Sequence, residues 1–249
     1  MRLALLQVRL VATSVSENVQ AVTRAIDEAA RCEQAPDLLV LPGACDTGGK
    51  ELTAPTTMAA HQAVREAIAS KAREWGVFIA AGLHVGERDA FRHAVLLFDP
   101  DADTLLSTAN GTAEPAQSVS LGASTTATAV GTIGVCDPRE PTAPSAPVAN
   151  ADPPAVIAIS CTAPSIGPKA GRPAAAATPG WPAGLPPGQM WAVVVPACES
   201  AARDASAVPT SFVTHADGSI LVAASDGRET ILRADVNPGA SPAPGGNGK

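Results

Sequence analysis

Four of the five cysteines in this 249-residue chain stand where apolar runs end. Cys45 lies just past Leu38-Leu39-Val40-Leu41, and Cys136, Cys161 and Cys198 close three later runs. A thiol attacks carbon or binds metal only as thiolate, which calls for a neighbouring base or positive charge. Carboxylates follow three of the four directly, as Asp46, Asp137 and Glu199. In an open α/β sheet the carboxyl ends of the strands converge on a ligand crevice, so these groups could form a thiolate-rich metal site or a redox thiol pair. The competing reading is packing: in an alanine-rich chain, cysteine takes the place of a small apolar residue. No Cys-x-x-Cys spacing occurs, and Cys32, on the first helix, reads as structural. The histidines, His61, His84, His93 and His215, show no ligand spacing. His84 and His93 flank Gly86 and could meet across a hairpin, each in a solvated or hydrogen-bonded role.

The elements that must position these groups follow an α/β order. Residues 2–8 read as a strand. Ser16 can cap a helix to about residue 31, because Val19, Val22, Ile26 and Ala29 recur at helical spacing. A buried strand over 38–41 runs into Pro42-Gly43, the loop position where α/β folds keep reactive groups. Met58, Val64, Ile68, Ala72 and Trp75 mark the inner stripe of a second helix that Gly76 stops. Strands are expected over 77–83 and 94–98, the latter closed by the turn Asp99-Pro100-Asp101. The second half repeats the strands, over 129–135, 155–160 and 191–197, and loses the helices. Segments 138–154 and 164–187 are crowded with proline, which removes helical donors and blocks the preceding turn. Strands over 211–214 and 220–222 flank Asp217-Gly218 as a hairpin, and 230–236 forms the last strand. Residues 1–236 read as one domain and 237–249 as a disordered tail.

Composition narrows the function. A net charge of −7 leaves no basic footprint for nucleic acid and no lysine or arginine run for an anionic membrane. An odd cysteine count argues for reduced thiols and, with no apolar stretch long enough to span a bilayer, for a cytoplasmic protein. Gly48-Gly49-Lys50 lacks the spacing and the following hydroxyl of a phosphate loop, so no cofactor is expected. The absence of tyrosine and an aromatic content of 3% predict a core of small residues and modest stability.

Several blocks, in order, resemble the carbon–nitrogen hydrolase (nitrilase/amidase) superfamily. Arg2-Leu3-Ala4-Leu5-Leu6-Gln7, with Asn18, looks like its first strand and helix. Phe91-Arg92-His93-Ala94-Val95-Leu96-Leu97-Phe98-Asp99-Pro100 is similar to its Tyr-Asn-x-Ala-x-x-x-Asp-Pro strand, with Arg92 for the usual Asn. Gly131-Thr132-Ile133-Gly134-Val135-Cys136-Asp137-Pro138-Arg139 resembles the segment that carries the nucleophile, and residues 211–221 resemble the late strand pair. The resemblance implies a four-layer α-β-β-α sandwich, here with a degenerate, Pro-rich second half. It also implies a dimer built partly by a helical layer. Where proline-rich loops replace that layer, a partner chain is expected to cover the apolar sheet face.

The family's chemistry is thiolate attack on an amide or nitrile carbon by a Glu-Lys-Cys triad. Its Glu follows the proline of the second strand, and here that residue is Gly43. Its Lys belongs near residues 105–111, but Gly111 and its neighbours are uncharged and no lysine lies between Lys71 and Lys169. Losing one oxyanion donor typically costs roughly 100- to 1000-fold in rate. Cys136 follows Gly134 by two residues where the family has four. Either the strand is shorter by two residues, which keeps the face and retracts the thiol by about 6–7 Å, or the nucleophile position is gone and Cys136 occupies the variable place before Asp137. Asp137 and Arg139 keep the family's Asp-x-Arg and read as a pair that holds the loop. Asp46 or Glu51 could supply a displaced base. The expectation is therefore a protein without classical C–N hydrolysis, acting as a binding or partner subunit, as a homo-oligomer or with another protein. The alternative is an active amidase or nitrilase that uses Cys136 or Cys161, assisted by Asp46 or Asp137, on a small amide or nitrile.

Overall fold

The structure is a computed structural model that describes residues 1–12, 14–48, 56–87, 90–109, 123–136, 157–161, 190–197 and 211–237. The chain opens with β1 (Arg2–Gln7), buried continuously from Leu3 to Gln7. Such a run needs cover on both faces, and β1 has it. Leu3 and Leu5 point to one core cluster, and Ala4 and Leu6 to another. Helix α1 (Val15–Ala30) is capped by Ser14, whose hydroxyl accepts from the Glu17 N–H at 3.2 Å. Ser14 caps in place of the expected Ser16 because Glu17 stands three residues after it, the capping-box spacing. The helix buries Val22, Ile26 and Ala29. After β2 (Leu38–Val40), α2 (Thr56–Trp75) buries Val64, Ile68 and Ala72, and Gly76 ends it with a φ of +65°.

Strands β3 (Phe78–Glu87) and β4 (Ala90–Phe98) form a hairpin longer than the apolar pattern predicts, with His84 directly opposite His93 as expected. Strands β5 (Thr104–Ala109) and β6 (Ala123–Thr128) were not expected. Each lies at the edge of its sheet, and an edge strand needs little apolar alternation. The rest are β7 (Gly131–Cys136), β8 (Ile157–Cys161), β9 (Met190–Val194), β10 (Phe212–Thr214), β11 (Ile220–Ala223) and β12 (Thr230–Asp235).

Among the described residues two six-stranded sheets result, ordered β12-β1-β2-β3-β4-β5 and β11-β10-β9-β8-β7-β6. Their inner faces share one core of Leu3, Leu5, Val40, Val95, Leu97, Ile133, Val135, Ile159 and Val194, among others. The other face of the first sheet packs on α1 and α2 through Leu39, Leu41, Ile79, Leu83 and Leu96. The described residues thus supply a helical layer and both sheets of the expected sandwich. On the second sheet's outer face Trp191, Val193 and Phe212 are 2%, 1% and 7% exposed in the single chain. The proline-rich segments 138–154 and 164–187 and the tail beyond Asn237 lie outside the described residues.

Two seams close the structure. β12 lies antiparallel to β1 along its whole length, with the terminal amine donating to the Val236 carbonyl at 2.9 Å and the Val236 N–H to the Met1 carbonyl at 2.8 Å. Buried Gln7 joins the sheets. Its amide donates to the Asp226 and Arg228 carbonyls at 3.0 and 2.7 Å, and its oxygen accepts from the Ser211 N–H and hydroxyl at 3.1 and 2.7 Å. Among the described residues no helix is long and apolar enough to cross a membrane.

Candidate functional site

Beyond β2 the chain does not leave the sheet but continues alongside β3. The Leu41 N–H donates to the Ala80 carbonyl at 2.8 Å, the Gly82 N–H to the Pro42 carbonyl at 3.2 Å, and the Cys45 N–H to the Gly82 carbonyl at 2.9 Å. Residues 41–47 are buried as a result. The loop turns back at Gly48, whose φ of +59° suits glycine. A Cβ there would also sit 2.4 Å from the Val11 carbonyl carbon and oxygen. Asn18 fastens the turn, bonding the Val11 N–H and carbonyl at 2.8 and 2.9 Å and reaching the Asp46 carbonyl at 3.5 Å.

This path buries the carboxylate of Asp46, whose side chain is 1% exposed, among partners from two other elements. Oδ1 lies 2.9 Å from His84 Nδ1; Oδ2 lies 3.1 Å from His61 Nδ1 and accepts the His84 N–H at 2.8 Å. A carboxylate only accepts, so both imidazoles present Nδ1–H to it. Burial is the largest single influence and pushes the Asp46 pKa up. The hydrogen bonds from His61 and His84, with the His84 charge, outweigh burial and bring it down to about 2. A carboxylate so acidic, with both oxygens engaged, is an anchor rather than the proton acceptor that its place after Gly43 allowed.

Three elements converge on Gly82. A Cβ at that position would lie 2.5 Å from Gly43 Cα, 2.9 Å from His93 Nε2 and 3.2 Å from Cys161 Cβ. Cys161 ends β8 and faces the first sheet within the inter-sheet core. His93 is 3% exposed, and the His84 ring meets it edge-on with centroids 5.8 Å apart. Cys45 is close by, but its thiol donates to the Pro42 carbonyl at 3.0 Å. Burial, then the neighbouring Cys161 and Asp46, push the Cys45 thiol well above its ordinary pKa, which leaves it inert as a nucleophile.

Of the residues singled out by sequence, the structure therefore brings Gly43, Asp46 and Cys161 together. Cys136 is the last residue of β7, opposite Ala123 on one side and Ser160 on the other. Gly111, Asp137, Arg139 and Cys198 lie outside the described residues, as do Glu51 and Glu199. Lys71, the one lysine among the described residues, is held at the α1–α2 contact by Asp27 at 2.7 Å and Glu74 at 2.8 Å. Sequence reasoning missed His61, a lone histidine on a helix with no ligand spacing to mark it. It also missed that His93 and Cys161 both close on Gly82, since that convergence depends on the packing of two sheets. Among the described residues no group of three or more His, Cys, Asp or Glu could hold a metal ion.

Comparison with known proteins agrees with this architecture. An amidase from Nesterenkonia sp. AN1 superposes with a TM-score of 0.69 at 18% identity, covering 95% of this chain and 93% of that one. A variant of that amidase, with acrylamide added at its active-site cysteine, gives a TM-score of 0.71 with the same identity and coverage. A carbon–nitrogen hydrolase from Helicobacter pylori G27 gives 0.70 at 16% identity, covering 96% and 89%. At these identities the likeness shows a shared fold. No curated protein matches the chain. The family model for carbon–nitrogen hydrolases matches residues 2–152, more than half of the sequence. With that match, this chain belongs to the carbon–nitrogen hydrolase family.

Proposed function

We propose that this family member does not cleave C–N bonds by the Glu-Lys-Cys route and acts as a binding or partner subunit. The carrying observation is the state of the loop after β2. Gly43 offers no carboxylate, and Asp46, which follows it on the same loop, is held at a pKa of about 2 by His61 and His84. Thiol attack on an amide needs a group that accepts the sulfur proton and a donor that meets the developing oxyanion. Lys71, committed to Asp27 and Glu74, supplies no such donor. A chain that keeps the scaffold while its described residues supply neither group works by holding another molecule, as a homo-oligomer or with a different protein. Among the described residues Cys32 and Cys45 carry free thiols, in keeping with a reducing cytoplasm.

Ammonia release from a panel of small amides and nitriles tests the reading. Rates equal to those of Cys136→Ala and Cys161→Ala controls support it, and turnover well above either control refutes it. A second reading has one observation in its favour: Cys161 stands beside His93 at Gly82 and could serve as a nucleophile toward a small amide or nitrile. Rapid, selective labelling of Cys161 by iodoacetamide, read by peptide mass, would favour this alternative. Labelling of Cys161 slower than that of half-exposed Cys32 would remove it.

A further inference from the structure

Between the sheets, the space next to Gly43 is already taken. On the inner face of the first sheet, His93 from β4 leans over Gly82 of β3, and Cys161 arrives from the facing sheet. The room for a single methyl group at Gly82 is shared by Gly43 Cα, His93 Nε2 and Cys161 Cβ, all within about 3 Å of that point. A side chain of glutamate size leaving Gly43 on this side, or a ligand seated there, would have to displace the imidazole. The ring is also buttressed from behind. His84 meets it edge-on at 83°, and His84 is itself tied to Asp46 through Nδ1 and its backbone N–H. Asp46 in turn is held by His61 of α2. Helix, loop and hairpin thus cooperate to keep one aromatic ring in one place.

We infer that His93 is a built-in occupant of the inter-sheet pocket beside Gly43, shutting it to small amides and nitriles by filling it with an imidazole. This rests on the reading of a non-catalytic subunit and deepens it: no small amide or nitrile is held at the end of β2. The pocket's latent specificity is for a planar group of imidazole size.

Thermal unfolding of the whole chain, wild type and His93→Gly, with added imidazole or acetamide, tests this. Removing the ring should lower Tm by several degrees and leave a cavity that free imidazole refills. Imidazole at about ten times its Kd then restores about 1.4 kcal/mol, from RT ln(1 + [L]/Kd), which appears as a dose-dependent rise in Tm. Wild type and a His215→Gly control, altered at an exposed site, should not respond to either compound. A wild-type Tm that rises with acetamide, or a folded His93→Gly protein indifferent to imidazole, overturns the inference. Should His93→Gly fail to fold, the wild type decides through acrylamide labelling of Cys161. Labelling at least about 100-fold slower than in urea supports a filled site, and labelling near the unfolded rate overturns it. Ammonia release reports separately on the absence of catalysis, so the two claims can fail independently.

Discussion

Replacing Asp46 with asparagine keeps the shape of the side chain and removes its charge, which isolates what the buried carboxylate contributes. Its pKa falls from an ordinary 3.8 to about 2 in the folded chain. At about 1.4 kcal/mol per unit, that drop is worth about 2–3 kcal/mol of folding free energy. The sign follows from the direction of the drop. The contribution is fully present above about pH 4, where Asp46 is ionised even in the unfolded chain, and is lost as pH falls through about 2. Because the side chain is almost wholly buried, solvent screening takes little from it. Urea unfolding at fixed ionic strength, followed by fluorescence of the three tryptophans, should show the wild type losing about 2 kcal/mol more than Asp46→Asn between pH 4.5 and pH 2. That window lies below the range where ordinary imidazoles titrate. Exposed carboxylates titrate alike in both proteins and cancel in the difference. Parallel pH profiles for the two chains would show that His61 and His84 do not hold the charge, and the account of Asp46 as an anchor would fall.

Three further outcomes are expected. Gly82→Ala should destabilise by about 1–3 kcal/mol in urea titrations, because the added carbon meets the Gly43 backbone at 2.5 Å, where nothing flexible can yield. Gln7→Leu strips acceptors and donors from Ser211 and from two carbonyls of the 226–228 turn. It should cost about 2 kcal/mol or more, visible as a lowered melting temperature. With iodoacetamide at pH 8, half-exposed Cys32 should label at least about tenfold faster than Cys45, whose buried thiol stays protonated. Equal rates by peptide mass mapping would contradict the burial and charge around Cys45.

Much of the frame could be read from the chain, because its signals are local. Val22, Ile26 and Ala29 mark α1 by period, Val64, Ile68 and Ala72 mark α2, and Asp217-Gly218 marks the turn between β10 and β11. The ends were harder. Ser14 displaced Ser16 as the cap through its spacing to Glu17, and β5 and β6 carry threonine, serine and alanine in no apolar period. The candidate site was legible at Gly43, where the absence of a carboxylate is a fact of sequence. What surrounds it was not. His61, His84 and Asp46 are separated by 15 and 23 positions and meet only when a helix, a loop and a hairpin pack together. Cys161 reaches Gly82 across the gap between two sheets. No spacing rule encodes a contact of that kind.

The pairing of β12 with β1 has a consequence for how the protein is made. β1 is hydrogen-bonded on one side to β12, across more than 200 intervening residues. Until synthesis reaches residue 230, β1 keeps a bare row of amides and carbonyls along that side, a template for pairing with other nascent chains. The first sheet can begin to assemble early but can be sealed on that side only once β12 has been made. The wait for β12 therefore leaves this protein open to aggregation, and a chain truncated before Thr230 should accumulate as insoluble material even though α1, α2 and β1 to β5 are intact.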